Sequence, residues 1–173
     1  GVREKLVLAA EAATLCPSNY SQLTVSEYLA TQPWREQIKS FREVYRERRD
    51  ALLDSLQAMM PEGTRWTIPA GGFYSWVTLP DGLDATAMLP RAVAELVAYV
   101  PGTGFYVDGQ GVSNMRLSYC YPEPDRIREG VRRLSLVVES ELEIARTFGT
   151  ASAPSPGSSI PPGESSTPGP DVA

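Results

Sequence analysis

Val112-Ser113-Asn114-Met115-Arg116-Leu117-Ser118-Tyr119 sets one cationic side chain inside a run that otherwise reads as a buried strand. Strand alternation sends Met115, Leu117 and Tyr119 to one face and Arg116 with Ser118 to the other. The arginine therefore stands on the polar face of an apolar ladder. A guanidinium taken out of water is costly unless a carboxylate or phosphate pairs with it in the fork geometry that arginine offers and lysine does not. An internal Asp or Glu partner, or a strand face open to water, would also account for Arg116, and residue type alone favours those two readings.

Outward from this strand, the upstream segment Asp108-Gly109-Gln110-Gly111 reads as a flexible loop. Before it, Ala98-Tyr99-Val100 reads as a short strand running into the rigid turn and aromatic pair Pro101-Gly102-Thr103-Gly104-Phe105-Tyr106. This glycine spacing matches neither a P-loop nor a dinucleotide fingerprint. Asp84 caps a helix that Pro90 either kinks or splits, the second piece then running from Pro90 to Leu96. Thr64–Ile68 and Phe73–Leu79 are β-branched and aromatic runs joined by Pro69-Ala70-Gly71-Gly72, a hairpin with a glycine corner. Turn geometry is the commoner reason for paired glycines, close approach of a ligand the rarer one. Phe73, Tyr74 and Trp76 read as core or as ligand box, with only one strand face able to be fully internal.

Helices flank this set. Val2–Thr14 has helical apolar spacing and stops at Cys16-Pro17-Ser18, and Ser18 or Asn19 caps a second helix to Thr31. The longest helix begins after Pro33, a first-turn proline, and repeats Ile38, Phe41, Tyr45, Leu52, Leu56 and Met59 at three-, four- and seven-residue steps. Its other face mixes Arg35, Lys39, Arg42, Arg46 and Arg49 with Glu36, Glu43, Glu47 and Asp50, including Arg46 and Asp50 four apart, the pattern of a solvated face. A last helix after Pro122-Glu123-Pro124 carries Ile127, Val131, Leu134, Val138 and Leu142 on one side.

The chain of 173 residues is long enough for one domain with a core. A net charge of −5 gives no basic footprint for nucleic acid. No run approaches the roughly 18 apolar residues of a membrane span, and the N-terminus lacks a signal-peptide pattern, so a cytoplasmic context is expected. There is no histidine, which removes Ser-His and Cys-His nucleophile pairs, His-ligated zinc and imidazole base chemistry. Cys16 and Cys120 have no metal or disulfide spacing and are expected reduced and partly buried. Lys5 and Lys39, the two lysines, sit in charge-rich helical contexts and are expected solvated. The first residue is Gly1 and the first methionine Met59, so the chain is expected to be a fragment or an excised domain.

The motifs Pro69-Ala70-Gly71-Gly72-Phe73-Tyr74-Ser75-Trp76, then Tyr99-Val100-Pro101-Gly102-Thr103-Gly104-Phe105-Tyr106, then Asn114-Met115-Arg116-Leu117-Ser118-Tyr119, in that order, resemble the C-terminal half of class I/II aminotransferases. The resemblance covers residues 1–146 or so and is closest to the branch of 2-aminoadipate aminotransferases and the aminotransferase-like domain of MocR-type regulators. It implies an α/β fold: the small C-terminal domain of a fold-type-I enzyme, a short mixed or antiparallel sheet packed on helices with a long connecting helix. It implies pyridoxal 5′-phosphate as cofactor of the complete enzyme, an amino acid and a 2-oxo acid as substrates, and a homodimer. Arg116 would fork the substrate α-carboxylate and Tyr74 would line the side-chain pocket, while the Pro101-Gly102 turn would be structural. The family's Schiff-base lysine and the aspartate that pairs with the pyridine nitrogen lie upstream of the matched segment, so this chain alone is expected to be inactive and to hold no cofactor covalently. The expected division is an aminotransferase C-terminal region over residues 1–148 and a disordered Pro/Gly/Ser-rich tail over 149–173. Two rival roles carry the same resemblance: the effector-binding half of a MocR-type regulator, and a catalytically dead remnant kept for dimerisation.

Overall fold

A computed structural model describes residues 1–149, so the expected tail lies, Gly149 apart, outside the described residues. The elements are α1 (Val2–Thr14), α2 (Asn19–Thr31), α3 (Trp34–Met59), β1 (Arg65–Trp66), β2 (Tyr74–Thr78), α4 (Ala85–Ala94), β3 (Val100–Pro101), a 3-10 turn over Gly102–Phe105, β4 (Asn114–Ser118) and α5 (Pro124–Phe148). The strands form one sheet in the order β1-β2-β4-β3, and every pairing is antiparallel.

The two faces of this sheet differ as the alternation of β4 requires. Met115 pairs with Val77 and Leu117 with Ser75, and all four are buried. Against them pack Leu52 and Leu56 of α3, Met88 of α4 and Val131, Leu134 and Val138 of α5 in one apolar cluster. Full burial of each such side chain is worth about 1.5–3 kcal/mol. The other face carries Tyr74, Trp76 and Arg116, and the helices leave it uncovered.

Local chemistry sets the helix ends. The Ser18 hydroxyl accepts from the Ser21 N–H at 3.4 Å, and the Asp84 carboxylate accepts from Thr86 and Ala87 N–H at 2.7 and 3.1 Å. Pro124 opens α5, where its missing N–H costs nothing, whereas Pro33 stands one position before the first turn of α3. Pro90 does not split α4: Met88 and Ala92, buried on either side of it, anchor both halves to the core. Pro90 itself is exposed.

Three local expectations are corrected. The strand expected over 98–100 shifts to Val100–Pro101, because the buried Tyr99 hydroxyl donates to the Ala85 carbonyl at 2.6 Å and ties residue 99 to α4. Asp50 pairs with Arg49, its chain neighbour, at 2.6 Å instead of Arg46. Cys16 is exposed and not partly buried, since nothing packs on the turn after α1, while Cys120 is half-buried; both thiols are free.

Two core tyrosines couple this packing to pH. Burial pushes the Tyr99 phenol far above its usual value, helped by the charges of Asp84 and Glu141. Burial also raises Tyr119, against a smaller lowering by Arg49. The fold thus favours both neutral phenols. Their contribution is whole below the ordinary phenol value of 10.0 and is lost as pH rises beyond it. The melting temperature should therefore hold on the acid side of that value and fall on its alkaline side, and Tyr99→Phe should flatten the fall.

Candidate functional site

Arg116 occupies the middle of β4, flanked across the ladder by Trp76 of β2 and Val100 of β3. Its guanidinium carbon lies 4.1 Å from the centre of the Tyr74 ring and 5.1 Å from that of Phe105. Trp76 meets Phe105 edge-on with ring centres 5.2 Å apart, and Tyr106 stands 6.3 Å from Trp76. The cation is thus clasped by π faces, an arrangement worth about 0.5–2 kcal/mol per contact. Among the described residues it makes no ion pair, so none of the described carboxylates is its partner. It is half-buried, so a simply solvated strand face does not describe it either.

Chemically, this is a guanidinium set against two aromatic rings, and its N–H fork has no partner among the described residues. Such an edge matches a planar carboxylate with two parallel hydrogen bonds. The alternation of β4 foretold the arginine's face, and the structure brings Tyr74 beside it. Trp76, read from the sequence as core or ligand box, and Phe105, read only as part of an aromatic pair, complete the clasp, and neither was among the expected site residues. Trp76 is opposite Arg116 only through the strand register. Phe105 arrives from a turn whose approach depends on Gly102, which is buried so tightly that an added Cβ would stand 2.5 Å from the Asn114 Cβ. The signal available in sequence was the aromatic pair after a Pro-Gly turn.

The strand ends are pinned by polar contacts. Asn114 donates from Nδ2 to the Thr78 hydroxyl at 2.8 Å, and the buried Ser75 hydroxyl donates to the Thr67 carbonyl at 2.8 Å. At the other end, Arg48 donates to the Cys120 carbonyl at 2.8 Å and to the Glu123 carboxylate at 2.5 Å, fastening the exit of β4 to α3. The expected structural role of the Pro101-Gly102 turn agrees with its packing on Asn114. Phe73 and Tyr74 are 43% and 44% exposed, so the aromatic cluster belongs to the surface of this chain and not to its core. No group of three His, Cys, Asp or Glu side chains that could hold a metal ion occurs among the described residues. Nor, among them, is any helix long and apolar enough to cross a membrane.

No protein-family model matches the chain. An aromatic-amino-acid aminotransferase of Thermococcus litoralis is 39% identical over 139 residues, 80% of this chain and 33% of that protein. The structure of a multiple substrate aminotransferase from Thermococcus profundus superposes with a TM-score of 0.75 at 40% identity, over 82% of this chain and 35% of that one. The alpha-aminoadipate aminotransferase of Thermus thermophilus, solved with N-(5′-phosphopyridoxyl)-L-leucine, gives a TM-score of 0.72 at 38% identity over 83% and 36% of the respective chains. Weaker matches include HTH-type transcriptional regulators of Bacillus subtilis. The chain spans about a third of the length of the curated relatives it matches. Its sequence and its antiparallel sheet on helices thus match the C-terminal portion of the fold-type-I, pyridoxal-phosphate-dependent aminotransferases, the family that includes 2-aminoadipate aminotransferase.

Proposed function

We propose that this chain is the substrate-carboxylate-binding region of a pyridoxal-phosphate-dependent aminotransferase, in which an amino group passes from an amino acid to a 2-oxo acid. The unpaired fork of Arg116, clasped by Tyr74 and Phe105, carries the reading. Arg116 holds the α-carboxylate of donor and acceptor in turn, and Tyr74 borders the side chain. Residues 1–148 form the aminotransferase region in this reading, followed by a separate tail over 149–173.

The residues present do not fit the cofactor itself. Lys5 lies on α1 and Lys39 on α3, both exposed and neither on the sheet face of Arg116, so neither offers the desolvated amine that carbonyl chemistry needs. Mixed with pyridoxal phosphate, the chain should show only the absorbance of the free cofactor. A visible band abolished by substituting Lys5 or Lys39 would overturn this.

The exposed apolar side chains of α1 and α2 support a larger assembly. Leu6, Val7 and Leu8 of α1 and Leu23 and Val25 of α2 are all exposed, and neither helix buries a residue. Helices this apolar are normally covered. A lysine-bearing large domain and a second protomer, with the complete homodimer in the cytoplasm, fit that need. Joined to such a domain, the chain should transaminate. A folded, cofactor-loaded two-domain protein without this activity would refute the reading. The weaker likeness to HTH-type regulators supports a second one, in which Arg116 binds an amino-acid effector; amino-acid-dependent DNA binding by the longer protein, without turnover, would favour it.

A further inference from the structure

We propose that the cavity between α3 and the Pro69–Phe73 turn is a binding site for a compact polyanion, separate from the Arg116 site. Arg42, Arg46 and Arg49 stand at i, i+4 and i+7 of α3 and so share one helix face. They line a cavity of about 480 Å³ with Tyr45, Phe73, Tyr119 and the Ala70-Gly71-Gly72 backbone. No acidic side chain lines it. Arg49 is paired with Asp50, but Arg42 and Arg46 form no ion pair among the described residues. Three cations of the mixed-charge helix face read from the sequence thus meet at one cavity.

The turn beside these arginines also leaves its amide donors free among the described residues. Tyr119, only 1% exposed, donates its hydroxyl to the Gly72 carbonyl at 3.0 Å and reaches the Gly71 carbonyl at 3.5 Å. Arg49 donates to the Pro69 carbonyl at 3.4 Å. With these carbonyls engaged by the protein, the N–H groups of residues 70–73 donate to no protein group among the described residues. Gly72 has φ of +84°, and a Cβ built on Gly71 or Gly72 meets nothing within 4 Å. Consecutive amides around a left-handed residue, without side chains to block approach, form the concave donor sets that bind anions. Tyr119 belongs to the helix-packed face of the sheet, so this cavity lies across the sheet from Arg116.

The volume falls within the range of about 300–1,000 Å³ typical of small-molecule sites. Walls of α3, Tyr45, Phe73 and Tyr119 bound it, which favours a compact ligand with two or more phosphate or carboxylate groups over a polymer threading a groove. Titration calorimetry of the whole 173-residue chain with inorganic pyrophosphate, and separately with citrate at matched ionic strength, distinguishes the two chemistries. At least one should bind saturably and one-to-one, more weakly as salt rises. The Arg42→Gln/Arg46→Gln double variant should lose at least tenfold in affinity. It should keep its melting temperature, since neither side chain is hydrogen-bonded. Arg116→Ala should leave the affinity unchanged, and amide NMR shifts should centre on Gly71 and Gly72. Absence of saturable binding by both anions, full affinity in the double variant, or shifts centred on Arg116 would each overturn the proposal. Shifts centred on Arg116 would overturn this site while leaving carboxylate recognition by Arg116 standing, so the two readings fail separately.

Discussion

Replacing Arg116 by alanine, in a form of the protein joined to a lysine-bearing large domain, is expected to lower kcat/KM for amino-acid substrates by about 2–5 kcal/mol, the usual cost of removing one partner of a desolvated, hydrogen-bonded charge pair. The size follows from what the arginine does and does not touch. It contributes no internal ion pair, so the fold loses only its stacking on Tyr74 and Phe105. A substrate carboxylate brought to the same spot loses both prongs of its partner and keeps its desolvation cost. Arg116→Lys separates charge from shape: it retains the cation but cannot fork a planar carboxylate, so most of the loss should remain. Melting temperature should fall only by what the two ring contacts contribute, and by less in Arg116→Lys, which keeps a cation. An unchanged kcat/KM for Arg116→Ala would mean that the side chain serves the sheet and not the substrate.

The legible part of this site was the local part. Alternation along β4 is a property of consecutive residues, so it correctly opposed Arg116 to Met115, Leu117 and Tyr119, and periodicity found the first three helices nearly to their ends and the start of the last. What escaped depends on contacts distant in sequence. Trp76 sits beside Arg116 because β2 pairs with β4 in one register of several conceivable ones. Phe105 reaches the guanidinium because Gly102 lets its turn lie against β4. The cations of α3 looked evenly mixed with acids along the chain, and only the packing of the Pro69–Phe73 turn revealed which flank of the helix they share. Pro90 argued locally for a break in α4, yet burial of Met88 and Ala92 outweighed it. In each case tertiary packing overrode a local signal that had been read in isolation.

The turn that carries Phe105 supplies the second large effect, expected from a single methyl group. At Gly102 an added Cβ would stand 2.5 Å from the Asn114 Cβ, 2.6 Å from the Gly111 carbonyl oxygen and 2.9 Å from the Asn114 carbonyl oxygen. Two of these three atoms belong to the backbone, so no side chain can swing aside to make room. Overpacking of this kind typically costs about 1–3 kcal/mol, and Gly102→Ala should lie at the upper end because β4 itself must shift. Gly104→Ala is the control: it lies in the same turn, and its Cβ would meet nothing within 4 Å. If the turn matters only for packing, Gly102→Ala should lower the melting temperature and leave the substrate constants of the surviving folded two-domain protein intact. If the clasp around Arg116 depends on it, KM for the carboxylate substrate should rise as well, because Phe105 follows three residues later and must move with the turn. The second outcome is the expected one, since Phe105 contacts both Arg116 and Trp76 and no other described residue places a ring on that side of the guanidinium. A Gly102→Ala protein with a lowered melting temperature and unchanged KM would show that Tyr74 alone suffices to orient the arginine.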